Sequence, residues 1–266
     1  MMRVGVLGAG GRMGREVLRA VHAASDLELV AAIDPGFAGQ PLQVLLPEFD
    51  GDVQVAADLQ ALVAASCDLA VDFTAPSVAA GNIAFLLEHG IHGVVGTTGL
   101  DHEALGEAVK ASPTKANLVV AANFAIGAVL LMQFAAKAAR HLRDVEVIEL
   151  HHDRKLDAPS GTAVHTAAAI AEARRGAGLT APQDPTEHED YPGSRGAVVD
   201  GVHVHAIRLP GLVAHEEVIF GGIGQTLSIR HDTVDRTAFM DGVLLALRAV
   251  STTPGLTLGL DRLLEG

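Results

Sequence analysis

The stretch Val4-Gly5-Val6-Leu7-Gly8-Ala9-Gly10-Gly11-Arg12-Met13-Gly14 constrains the fold more than any other part of this chain. A β-branched run, Arg3–Leu7, passes into a helical pattern, Met13–Ala24, through a turn rich in glycine. Glycines at such a junction allow a tight turn, close approach of a pyrophosphate, and close packing of helix on strand. The helix start then offers free N–H groups and a partial positive charge to an anion. The G-x-G-x-x-G pattern is met at Gly8 and Gly10, with Met13 in the third place and Gly14 after it; a Gly8/Gly11/Gly14 spacing describes the turn equally well. Alone, such a turn is only flexible chain. Its context is more specific. Asp34 ends the next β-branched run, Leu29–Ile33, 20 residues after Gly14. A carboxylate there can hold both ribose hydroxyls of an adenosine. Strand, turn, helix, strand and acid in this order read as a dinucleotide-binding unit. The acid favours NADH over NADPH, because a 2′-phosphate would meet like charge. Pro35, not an arginine, follows it, although Arg12 in the turn could partly hold such a phosphate.

Alternation of strand and helix continues through the first half. Leu69–Phe73, Gly93–Val95 and Leu118–Ala121 read as strands, with Val53–Ala56 a possible edge strand. Helical patterns cover Ser77–His89, His102–Lys110 and Ile126–Leu142. This predicts a doubly wound parallel sheet of Rossmann type, covered on both faces. The second half differs. Val145–Leu150 is a strand, Gly161–Arg174 a helix, and Gly176–Gly196 an exposed loop rich in Pro, Gly, Asp and Glu. Val202–Ile207, Glu217–Phe220 and Leu227–His231 then follow without helices between them, which predicts an α+β domain with an open mixed sheet. A last helix, Thr237–Ala249, resembles a sheet-covering element of the first domain. The expected division is residues 1–125, completed by 235–266, for the dinucleotide, and 126–234 for the substrate.

Ligands of doubly wound sheets bind at the carboxyl ends of the strands. There lie Phe73-Thr74-Ala75-Pro76 and Gly96-Thr97-Thr98-Gly99, whose small and hydroxyl residues leave room for a nicotinamide ribose; Ser77 reads as a helix cap. Ala121-Ala122-Asn123-Phe124 is a similar strand end, with Asn123 a candidate hinge. In the second half, His151-His152-Asp153-Arg154-Lys155-Leu156-Asp157-Ala158-Pro159-Ser160-Gly161-Thr162 is the most informative stretch. Ser160-Gly161-Thr162 opens a helix, an anion site of backbone donors reinforced by two hydroxyls. Lys155 adds a compact positive charge, and a histidine exchanges a proton near neutral pH. Together they suit a carboxylate-bearing substrate that is protonated during its reaction. Adjacent His151 and His152 point to opposite faces of a strand, so they do not share one metal; His203 and His205 share a face but lack an evident third ligand. No metal is expected, and Cys67 reads as packing.

Composition narrows the partners. Nineteen Lys and Arg stand against 32 Asp and Glu, a formal charge of −13. That balance repels phosphate backbones and anionic membranes, which argues against nucleic acid. The longest apolar stretch, Phe124–Ala136, includes Gln133 and falls short of the ~20 residues of a membrane span. With a single Cys and no signal-like N-terminus, a cytoplasmic protein is expected.

The glycine turn, Gly96-Thr97-Thr98-Gly99, Ala122-Asn123-Phe124 and the block from His151 to Thr162 together resemble the dihydrodipicolinate reductase family, over nearly the whole chain. The resemblance implies NAD(P)H-dependent reduction of 4-hydroxy-tetrahydrodipicolinate to tetrahydrodipicolinate in the diaminopimelate route to lysine. It implies that Gly8, Ala9, Gly10, Gly11, Arg12, Met13, Asp34, Gly96, Thr97, Thr98, Ala121, Ala122, Asn123 and Phe124 line the cofactor. His151 would donate or accept a proton, Lys155 would be a second donor, and His152, Gly161 and Thr162 would bind the dicarboxylate. A homotetramer built through the open sheet, and closure on a hinge, are also implied. Two positions depart from the pattern. Pro35 stands where NADP-selecting members often carry Arg, and Gln225-Thr226 stand where some carry a basic residue. The alternatives are a non-enzymatic dinucleotide-binding redox sensor, which has no use for the His-Lys block, and another two-domain dehydrogenase such as an aspartate dehydrogenase, which leaves the Ser-Gly-Thr start unexplained.

Overall fold

A computed structural model describes residues 1–181 and 184–264. The chain forms two compact units, one from Met1–Phe124 with the C-terminal stretch from Phe239, the other from Ala125–Ala238.

In the first unit the elements run β1 (Met2–Leu7), α1 (Arg12–Ala23), β2 (Leu27–Ile33), β3 (Val55–Ala56), α2 (Gln60–Ala64), β4 (Leu69–Asp72), α3 (Pro76–His89), β5 (His92–Val95), α4 (His102–Ala111) and β6 (Leu118–Val120). The strands β4 and β6 are buried at every position, as a sheet covered on both faces requires. Aspartate caps α4 at Asp101, whose carboxylate accepts from the Glu103 and Ala104 N–H groups. By contrast α3 begins with Pro76 after Ala75, without a side-chain cap, so Ser77 is not the cap its sequence suggested. Proline at the first helical position needs none, its φ being preset for the helix.

The second unit holds α5 (Ile126–Ala139), β7 (Asp144–His151), α6 (Gly161–Gly176), β8 (Ala197–Val199), β9 (Val202–Arg208), β10 (Ala214–Gly222) and β11 (Gln225–Thr233). Its sheet runs β11-β10-β7-β9-β8, antiparallel except for the parallel pair β7–β9. Burial alternates along β7 and β10, so one face is apolar. Val145, Val147, Val202, Val204, Val218 and Phe220 on that face pack with Ala135 and Ala139 of α5 and Ala163, Ala167 and Ile170 of α6. The loop expected over Gly176–Gly196 is exposed and without strand or helix where described beyond α6; Pro182 and Gln183 lie outside the described residues.

The chain then adds α7 (Met240–Val250), β12 (Leu256–Leu258) and α8 (Asp261–Leu264) to the first unit. The first sheet runs β12-β6-β5-β4-β1-β2-β3, with every pair parallel. Its order reverses at β1, which pairs with both β2 and β4, and this makes the β1/β4 crevice the topological switch point. Two strands escaped the sequence reading, β8 and β12. Both are three residues long, and β12 sits between Gly255 and Gly259, too short for a period-two pattern to register.

Candidate active site

Around the switch point, sterics dictate the glycine turn. Gly8 has φ +73°, a left-handed conformation that side chains rarely adopt. A Cβ on Gly14 would lie 2.1 Å from the Gly8 carbonyl oxygen. Gly14 therefore takes the helix-packing role, with Met13 outside it, which selects the second of the two spacings at that end. The turn is tied to β2 by the Gly8 and Ala9 N–H groups, which donate to the Ile33 carbonyl at 2.9 and 3.1 Å. Asp34 completes the tie, its Oδ2 accepting from the Gly10 N–H at 2.8 Å and its Oδ1 from the Gly36 N–H at 2.9 Å. A carboxylate has about four lone-pair sites, so these bonds leave capacity for ribose hydroxyls. Helix α1 starts at Arg12 after Gly11, with no side-chain cap over its first turn. Ala9 is buried, while Gly11 and Arg12 are exposed. These features fit a dinucleotide: N–H groups at an open helix start for the pyrophosphate and an acid for the ribose.

Neighbouring strand ends are organised by Asp72, a residue the sequence reading passed over. Asp72 is fully buried and accepts from the Thr74 N–H at 2.8 Å, the Thr74 hydroxyl at 2.6 Å and the Asn82 amide at 2.8 Å. Thr97, also buried, directs its hydroxyl to the Thr74 carbonyl at 3.4 Å. Thr74 and Thr97 thus belong to one network joining two loops, whereas Thr98 and Ala122 are exposed. A Cβ on Gly96 would fall 2.0 Å from the Phe73 ring. The space beside Gly96 is therefore filled by Phe73, which stands edge-on to Phe124 with centroids 5.5 Å apart. Ala121 and Phe124 are buried, and Asn123 is partly buried.

In the second unit, the apolar column of β7 continues past Val145 and Val147 into Glu149 and His151. Glu149 is fully buried. Its Oε2 lies 2.6 Å from His151 Nδ1 and accepts from Arg208 at 2.7 Å; its Oε1 accepts from Arg208 at 2.7 Å and from the Ser160 N–H at 3.0 Å. Burial alone would raise the Glu149 carboxyl, but the bonds from His151 and Arg208, together with the Ser160 N–H, hold it down at about 2. Ser160 is buried as the N-cap of α6, its hydroxyl accepting from the Ala163 N–H at 3.2 Å. The hydroxyl that the sequence suggested for an anion is thus engaged in capping. Gly161 is exposed and Thr162 half-buried at the helix start. Lys155 directs its ammonium to both oxygens of Asp157, at 2.9 and 2.8 Å. The local positive charge is accordingly latched by Asp157 rather than free. His152 Nδ1 is buried without a hydrogen-bond partner among the described groups.

Sequence reasoning missed Glu149 and Arg208. Arg208 follows Glu149 by 59 positions and reaches it only because β7 and β9 pair in parallel, with His151 opposite Arg208. A signal for Glu149 did exist: a charged residue on the inward phase of an alternating strand. Elsewhere, His203 Nε2 lies 3.2 Å from Asp184 and His205 Nε2 2.7 Å from Glu146, so each pairs with a carboxylate. Cys67 is buried among Leu7, Leu62 and Ile91, and burial pushes its thiol up to about 12.

A switch-point crevice with a glycine turn and ribose acid, in one chain with a His/Lys cluster at a helix start, defines an NAD(P)H-dependent oxidoreductase. The family model described as "Dihydrodipicolinate reductase, N-terminus" matches residues 2–124, and that described as "Dihydrodipicolinate reductase, C-terminus" matches residues 127–264. This chain belongs to the dihydrodipicolinate reductase family. The 4-hydroxy-tetrahydrodipicolinate reductase of Corynebacterium aurimucosum is 51% identical to it, covering 99% of this chain and 98% of that protein. The enzyme of the same name from Nocardia farcinica is also 51% identical, covering 99% of both. Among solved structures, a dipicolinate-bound dihydrodipicolinate reductase from Paenisporosarcina sp. TG-14 superposes with TM-score 0.83 at 40% identity, covering 98% of this chain and 99% of that one. An amine dehydrogenase from Mycobacterium smegmatis, at 15% identity and TM-score 0.65 over 98% of this chain and 95% of its own, shares the fold alone. Among the described residues, no helix is long and apolar enough to cross a membrane.

Proposed function

We propose that this chain reduces 4-hydroxy-tetrahydrodipicolinate to tetrahydrodipicolinate with NAD(P)H, NADH preferred, in the diaminopimelate route to lysine. The observation that carries the reading is the assembly of His151, His152, Lys155 and the α6 start at one end of the second sheet, in a chain that matches this family along its whole length. The substrate is a dianion. The N–H groups of Gly161 and Thr162 and the Lys155 ammonium take its carboxylates, the lysine by exchanging Asp157, and His152 adds a donor.

The bound nicotinamide supplies the hydride. Reduction of the unsaturated ring also takes up one proton, and the 4-hydroxyl leaves as water. His151 delivers that proton to the enamine, with Lys155 the second donor in reach of the same chemistry. Asp34 supports NADH, since its carboxylate is held by the Gly10 and Gly36 N–H groups where a 2′-phosphate would add like charge. Both helices α5 and α6 pack on the Val145/Val147 face of the second sheet, while Ile148, Leu150, Ile207 and Ile219 lie on the other. That face supports assembly into a homotetramer, which light scattering would measure directly. A biosynthetic reaction using NAD(P)H, with one buried free thiol, supports a cytoplasmic setting.

The test follows nicotinamide absorbance with freshly generated 4-hydroxy-tetrahydrodipicolinate and each cofactor. Turnover, faster with NADH, is expected. No turnover with either cofactor would overturn the activity, and equal rates would overturn the cofactor preference. Oxidation of aspartate instead would support the aspartate dehydrogenase reading.

A further inference from the structure

We propose that Glu149 is the positioning residue for proton transfer: its buried carboxylate holds the His151 ring with Nδ1 protonated, leaving Nε2 as the nitrogen that exchanges a proton, and ties that ring to the anion-binding start of α6. The inference rests on His151 as the proton donor, and goes beyond that assignment by naming what orients it.

Four donors converge on the two Glu149 oxygens. His151 and Arg208 meet Oε2, and Arg208 and the Ser160 N–H meet Oε1. Four contacts match the lone-pair capacity of a carboxylate. Saturated in this way, the ionised group has no proton to give, so the 2.6 Å contact with His151 requires the hydrogen to sit on Nδ1. Neutral His151 then presents Nε2 as an acceptor, and protonated His151 presents Nε2–H as a donor. With Nδ1–H held on the carboxylate, the imidazolium gives its proton from Nε2; without that hold neither the ring orientation nor the charged form is secured, a defect that costs carboxylate–histidine pairs orders of magnitude in rate.

The charges around the ring make the carboxylate necessary. Arg208 from β9 stands on the same group, and alone would oppose a second positive charge on His151. Glu216 from β10, opposite Glu149 in the strand register, is buried against Thr166 of α6. On the turn, Asp157 offers its carbonyl to Arg208 at 2.8 Å and its carboxylate to Lys155. Glu149 therefore neutralises Arg208 and remains the nearest anion to His151. Structure alone gives little reason to bury the Glu149 carboxylate under a partly exposed arginine, since apolar residues of similar volume often replace buried ion pairs without loss of stability. The Ser160 bond adds a further constraint: shifting the Glu149 carboxylate would move the α6 start and the His151 ring together.

The experiment combines histidine 15N NMR on the wild-type protein with kinetics of Glu149→Gln and His151→Gln. In the wild type at alkaline pH, His151, assigned by its loss in His151→Gln, is expected to carry its proton on Nδ1. A proton on Nε2 would overturn the proposal without recourse to any Glu149 variant. Glu149→Gln is expected to lower kcat about 10²-fold or more, to mix the tautomers, and to leave NADH affinity and substrate KM within about threefold. If His151→Gln loses activity while Glu149→Gln keeps kcat within threefold, Glu149 is no positioning residue although His151 remains the donor. If His151→Gln keeps full activity, the donor assignment itself fails, and the inference with it. Should Glu149→Gln not fold, the wild-type tautomer decides.

Discussion

Glu216→Gln isolates the other buried carboxyl of the second sheet. Glu216 is 6% exposed, and its Oε1 has no hydrogen-bond partner among the described groups. Burial pushes its carboxyl up to about 7 from 4.5; the Thr166 hydroxyl opposes that rise and the Glu149 charge adds to it. The folded chain therefore binds this proton more tightly than the unfolded chain does. Below about pH 4.5 both states are protonated, and Glu216 carries no charge penalty. Between about 4.5 and 7 folding takes up a proton, so stability falls as pH rises, and above 7 the loss is complete. A displacement of that size corresponds to about 3 kcal/mol.

Glutamine has nearly the same shape and stays neutral, so the variant should escape this loss. Near pH 5 the two proteins should agree within about 1 kcal/mol, and by pH 8 the variant should be more stable by about 2–3 kcal/mol, roughly 5–10 °C in Tm. Glu149 does not confuse the comparison. Its carboxyl is held low, so its contribution is present above 4.5 and lost only as pH falls toward about 2, outside the window. The thirteen histidines are common to both proteins and drop out of the difference. Urea midpoints and thermal scans at four pH values from 5 to 8 measure the effect. Parallel curves for the two proteins across that range would refute the assignment of Glu216 as an acid whose proton burial holds more tightly.

Three further substitutions test the remaining parts of the site. Asp157→Asn should release the Lys155 ammonium and lower substrate KM by about two- to fivefold with kcat unchanged, in keeping with the ≤ ~1 kcal/mol of an exposed pair; a raised KM in steady-state kinetics would show that Asp157 helps to hold substrate. Gly14→Ala places a Cβ against the Gly8 carbonyl, and should destabilise the first unit by about 2–4 kcal/mol and weaken NADH binding in a fluorescence titration. Normal stability with normal NADH affinity would mean that the turn is not sterically set there. Asp72→Asn turns an amide toward donors that need an acceptor, at a cost of about 1–3 kcal/mol, and should raise the NADH Kd through Thr74 and Thr97. An unchanged Kd alongside lowered stability would confine Asp72 to a structural role.

What could be read from the chain was what lies contiguous along it. The glycine turn, Asp34 and the block from His151 to Thr162 are local patterns, and alternation of strand with helix suffices for a doubly wound sheet. The partners that orient those groups are not local. Arg208 meets Glu149 through strand pairing, and Asp72 gathers Thr74, Asn82 and Thr97 from two loops and a helix. Even so, a physical signal crosses that gap. Along β7 the inward positions read Val145, Val147, Glu149, His151, and along β10 they read Phe220, Val218, Glu216. Each column changes from apolar to charged toward the same end of the sheet, because Glu149 and Glu216 are register partners. Placing charge on the buried phase of a strand is costly unless each group is paired or neutralised. Here one carboxyl is held ionised by four donors and its neighbour is pushed toward the neutral form by burial. Two adjacent carboxyls pushed in opposite directions mark where a sheet has stopped being core, and that end carries His151 and the start of α6.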